Sequence, residues 1–242
     1  EKIDNVEQAL ERAKKNGVKE LIVQPTHLMK GKEYDELKET LDKHKASFEK
    51  LVLAEPLLGE VGKDAEDVNA DKERVANLIV QATVTGGGFD SVQKAAQDGV
   101  AFVFLGHGTS HTAAISYSEM QSAMKKLGYA NVFIGTVEGE PEDTAVEAVI
   151  EAVKKAGYKK VTLRPMMVVA GDHAHNDMAG AEEDSWVQKF MNSKNFDRIE
   201  TQIQGLGGVY DIQKLYAEHT RAAIDAANTA QEETTAAESK AN

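Results

Sequence analysis

This chain has seven histidines and no cysteine, so any metal it holds must be bound through nitrogen and oxygen. Two of its apolar runs end in glycine-bounded loops that present histidine. Ala101-Phe102-Val103-Phe104-Leu105 leads into Gly106-His107-Gly108-Thr109, and Val161 to Ala170 leads into Gly171-Asp172-His173-Ala174-His175-Asn176-Asp177. A third apolar run, Asn131 to Val137, is followed at once by Glu138. Short apolar runs without alternation read as strands buried on both faces of a parallel sheet, whose ligands sit beyond the carboxyl ends. Two imidazoles and a carboxylate at three strand ends suit a divalent transition metal with open coordination positions.

The glycines around His107 let the backbone fold tightly and leave the ring accessible. His111, four residues on, either shares its face or caps the loop. In the denser second loop, His173 lies nearer the strand end than His175 and is the favoured ligand, with Asp172 or Asp177 orienting it. Helix capping is the competing role for Asp172 and Asn176. Glu138 differs from Glu140 and Glu142 in following the strand directly. His27 reads as core or cleft wall, and His44 and His219 as surface residues on helices. No Gly-x-Ser-x-Gly elbow, Walker loop or Gly-x-Gly-x-x-Gly fingerprint occurs, which argues against serine hydrolysis and nucleotide-driven chemistry.

The elements that must position these residues form two α/β halves. Asn5 to Gly31 aligns with Ala145 to Gly171 at an offset of 140, pairing Val6 with Val146, Gly17 with Gly157, Pro25 with Pro165 and Gly31 with Gly171. Each copy reads as an amphipathic helix closed by glycine and followed by a strand. Internal duplication is the expectation, with two halves facing a cleft. Helices are expected over 33–50, 72–83, 89–97 and 211–227, and strands at 20–23, 51–54, 101–105, 131–137, 160–163 and 199–203. The expected domains are 1–97 and 98–227, with a boundary at the glycine-rich stretch near 84–98. An unstructured tail, 228–242, is expected after them. A doubly wound half normally opens on a strand, and two strands make a poor sheet. The first half is therefore expected to lack an opening strand-helix unit.

At 242 residues the chain can bury a substantial core, and a net charge of −12 argues against nucleic acid as a partner. No run is long enough to span a membrane. No signal-like segment is present, so a cytoplasmic location is expected, with export left open because the chain starts at Glu1.

Three segments together resemble the anaerobic cobaltochelatases that insert cobalt into sirohydrochlorin. They are Phe104 to Thr109, Gly135-Thr136-Val137-Glu138, and above all Pro165 to Ala179 with Asp184-Ser185-Trp186. The likeness covers the chain to about residue 225. It implies a class II chelatase acting in anaerobic cobalamin biosynthesis, with two Rossmann-like halves of parallel sheet flanked by helices. No ATP and no second type of subunit are needed. The family's metal-binding residues fall on His107, Glu138 and His173, and His107 and His173 are also the expected catalytic bases. Co²⁺ is the substrate metal, with Fe²⁺ or Ni²⁺ as alternatives. The tetrapyrrole carries carboxylates, so Arg164, Lys30 and Lys32 are candidate cations, and Gly106, Gly108 and Met166 complete the expected substrate contacts. Some relatives form oligomers, which makes a homo-oligomer compatible with the resemblance. The competing readings are a non-catalytic metal or haem carrier on this scaffold and a two-lobed small-molecule binding protein.

Overall fold

A computed structural model describes residues 3–241. The chain begins with helix α1 (Val6–Lys15), whose N-cap Asn5 accepts the Gln8 N–H while the Gln8 side chain reaches back to the Asn5 N–H. Strand β1 (Glu20–Val23), helix α2 (Lys32–His44) and strand β2 (Lys50–Leu53) follow. β1 and β2 pair in parallel, Glu20 opposite Lys50. Leu10, Leu41 and Phe48 are buried at the centre of this part, with Leu21, Val23, Leu51 and Leu53 packed on them. His44 is half-buried, its ring beside the exposed Glu7 and Glu11 of α1.

The second part starts with α3 (Ala70–Gly86), capped by Asn69, and the short α4 (Val92–Gln97). Then come β3 (Val100–Gly106), α5 (Ile115–Lys126), β4 (Val132–Thr136), α6 (Val146–Lys155) and β5 (Lys160–Pro165). A π-helical turn (His173–Met178), α7 (Trp186–Asn192) and β6 (Arg198–Thr201) complete it. The four strands form one parallel sheet in the order β4-β3-β5-β6. All seven residues of β3 are buried, as the unbroken apolar run requires of a strand covered on both faces. On one face, Ala101, Val103 and Leu105 pack with Val149 and Val153 of α6 and with Trp186 and Phe190 of α7. The parallel sheets and flanking helices agree with the α/β class read from the sequence.

The chain divides differently from the expectation. One compact unit takes it as far as Leu57 and again from Lys214, and the other spans Leu58–Gln213. The stretch near 84–98 is no linker. α3 runs on through Gly86, Gly87 is its C-cap, and Gly88 has φ +74. The glycines end a helix whose buried face includes Val75, Ile79, Val80 and Val84. The last helix, α8 (Tyr210–Ala241), contains the backbone expected to be unstructured from 228. Asn242 lies outside the described residues, as do the side chains from 231. At the 140-residue offset, α1 and α6 share both helix boundaries, and Gly17 and Gly157 share a positive φ.

Candidate active site

From β3 the chain goes to one side of the sheet to form β4, then returns to the other side to form β5. The winding direction therefore reverses between the carboxyl ends of β3 and β5, where open α/β sheets form their ligand crevice. His107 leaves the end of β3, and the segment after β5 delivers His173. Their rings meet edge to face, with centroids 4.4 Å apart and planes at 82°. The two side chains keep 45% and 47% of their surface exposed, enough for a ligand to reach both.

Glu138 arrives through the sheet ladder, which continues past the strand ends. The Val137 N–H donates to the Gly106 carbonyl at 2.9 Å, and the Glu138 N–H donates to the His107 carbonyl at 3.0 Å. Glu138 Oε1 lies 3.7 Å from His107 Nδ1. Gly108, at φ +94, permits this closeness, since a Cβ there would sit 3.0 Å from that of Glu138 and 3.2 Å from that of Thr136. Tyr117 of α5 supports the same loop. Its ring fills the space a Cβ on Gly106 would need, and its hydroxyl accepts the Gly108 N–H at 3.1 Å. Nothing in the sequence around Tyr117 marks it for this, because its role depends on where α5 lies against β3.

Hydrogen bonding decides which nitrogen each ring can offer. His107 Nδ1 is 2.9 Å from the Gly108 carbonyl, and His173 Nδ1 is 2.5 Å from Asp177 Oδ2. Carbonyls and carboxylates accept, so in the neutral tautomer each Nδ1 carries the proton and each Nε2 the lone pair. His175 folds back on the Gly171 carbonyl at 2.9 Å, and His111 Nδ1 caps its own turn by accepting the Ala113 N–H. Asp172 makes no side-chain cap bond. Among the described residues, no group of three or more His, Asp or Glu side chains is arranged to hold a metal ion. The expected trio is present instead as two pairs sharing His107, one with His173 and one with Glu138.

A family model described as cobalt chelatase (CbiK) matches residues 1–225. The chain belongs to this cobalt chelatase family. A sirohydrochlorin cobaltochelatase of Salmonella typhimurium is 28% identical over 225 residues, covering 93% of this chain and 76% of the relative. The sirohydrochlorin cobaltochelatase CbiKC of Nitratidesulfovibrio vulgaris is 27% identical over 227 residues, covering 93% of this chain and 72% of the relative. A solved arabinose-transporter periplasmic binding protein from Shewanella aligns at 16% identity with a TM-score of 0.30, covering 92% of this chain and 82% of that one. That likeness is too slight to inform the fold.

Other expected substrate contacts of this cobalt chelatase family member are placed elsewhere. Arg164 is fully buried, and its guanidinium donates to Thr83, Gln202 and Gln204 at 3.1–3.2 Å. Burial holds its pKa below the usual arginine value. Met166 is equally buried, with its N–H in the sheet ladder at 2.7 Å from the Leu105 carbonyl. Neither has surface to give a ligand, so both leave the substrate set. Lys30 belongs to the other unit, where Glu55 engages its ammonium at 2.8 Å, and Lys32 is exposed beside Glu36.

Proposed function

We propose that this protein inserts Co²⁺ into sirohydrochlorin without nucleotide hydrolysis, as a step of anaerobic cobalamin biosynthesis in the cytoplasm. The observation that carries this reading is the His107–His173 pair at the sheet's switch point, with both Nδ1 atoms tied and both Nε2 atoms left as donors. Relatives bearing the sirohydrochlorin cobaltochelatase name support the choice of metal and ring. Fe²⁺ and Ni²⁺ suit the same nitrogen and oxygen donors and are secondary substrates.

In this mechanism the two Nε2 atoms take a partly dehydrated Co²⁺, and Glu138 joins them as the anionic partner. The macrocycle gives up two inner protons as it gains one dication, so the exchange is neutral in charge and involves no redox change. Pyrrole nitrogens replace the protein ligands one by one. A histidine freed of metal accepts a ring proton and passes it to water, a task suited to imidazole near neutral pH. Because the ligands must be deprotonated to hold the ion, loading weakens in acid.

The test is the absorbance change of sirohydrochlorin on adding Co²⁺ without nucleotide, measured against the protein-free rate. The wild type should accelerate insertion, and His107→Ala or His173→Ala should slow it by about 100-fold or more. Added ATP should change nothing. Unaltered rates in both variants would overturn the proposal, and stoichiometric binding without turnover would point to a carrier.

A further inference from the structure

The turn that carries His173 is π-helical from His173 to Met178, and such turns are rare and concentrate at functional sites. Its buried residues are Ala174 and Met178, and Met178 belongs to the core cluster containing Val103, Leu105 and Trp186. Gly180 closes the turn. A Cβ there would collide with the Asn176 backbone, so the chain doubles back tightly after Met178. Held at that end, the turn sets Asp177 four residues from His173, with its carboxylate on Nδ1 at 2.5 Å.

We infer that Asp177 is the positioning residue for His173. Resting on the reading of His173 as a cobalt ligand, this assigns Asp177 a task separate from ligation. Its Oδ2 fixes the Nδ1–H tautomer, aims the ring so that Nε2 faces the metal, and makes that nitrogen a stronger donor. Asp172 does not share the task, since it makes no bond into the turn. His107 Nδ1 bonds the neutral Gly108 carbonyl at 2.9 Å, with the Glu138 carboxylate farther off at 3.7 Å, so the two imidazoles are unequal. His173 is the stronger donor and the tighter grip on the ion, and His107 is the ligand that releases it more readily to the ring.

The experiment titrates Co²⁺ into the full chain and follows the visible d–d bands, comparing wild type, Asp177→Ala, Asp177→Glu, His107→Ala and His173→Ala. Asp177→Ala should weaken Co²⁺ binding by about 10–100-fold and shift the bands. Its KM for sirohydrochlorin should stay within about 2-fold of wild type, and Asp177→Glu should restore part of the affinity. A purely structural role would instead lower the thermal midpoint without a selective effect on the metal. Unchanged Co²⁺ affinity and bands in Asp177→Ala, alongside lost binding in His173→Ala, would overturn this inference alone. Unchanged binding in both histidine variants would overturn the site reading beneath it.

Discussion

A histidine's use depends on which nitrogen is tied and what surrounds it, and His27 shows the opposite case from the site pair. Its Nδ1 is buried without a hydrogen-bond partner, its ring stands edge-on to Tyr34, and burial lowers its pKa, with Glu33 opposing in part. The unfolded chain then binds more protons than the folded one just below about pH 6.5, so stability falls as pH drops through that value and is recovered above it. Urea midpoints at about pH 7.5 and about pH 5.5 should therefore differ more for wild type than for His27→Gln; equal differences would contradict this. Among single residues, His107 and His173 were legible because glycine-bounded loops after apolar runs announce strand ends. Arg164 was not legible as a core residue. The partners of its two terminal nitrogens lie 38, 40 and 81 residues away, and one charged residue after Val161-Thr162-Leu163 resembles the start of a loop.

Two helices in the larger unit are joined by a buried ion pair that no spacing reveals. Lys72 of α3 and Glu119 of α5 are both fully buried with Nζ and Oε2 3.0 Å apart. Lys72 also donates to the carbonyls of Leu58 and Glu60, and Glu119 accepts the Gly62 N–H at 2.6 Å. The pair thereby pins the segment that leads into α3 at Leu58, Glu60 and Gly62. Removing one partner strands a charge in the interior, so Glu119→Ala should cost about 3–5 kcal/mol in chemical denaturation. Lys72→Met combined with Glu119→Leu should cost less than Glu119→Ala alone, and an equal or greater loss would contradict the account. β3 and β4 were legible, since the apolar runs at 101–105 and 131–137 became strands within a few residues. The end of α3 was not, because its glycines serve as a helix terminus where composition suggests a hinge.

Across the chain, the fold class could be read from alternating helices and strands, but the division into units could not. One unit is assembled from both ends of the sequence, and composition along a chain says nothing about a late segment returning to an early one. No helix among the described residues is long and apolar enough to cross a membrane. The net charge of −12 attracts a metal cation and repels a polycarboxylate ring, and the buried Arg164 and paired Lys30 do not offset that. The central claim is that His107 and His173 take the same cobalt ion. X-ray absorption at the cobalt edge of the Co²⁺-loaded full chain tests it most directly. Two imidazole nitrogens in wild type and one in each of His107→Ala and His173→Ala are predicted; an unchanged coordination shell in both variants would contradict the account.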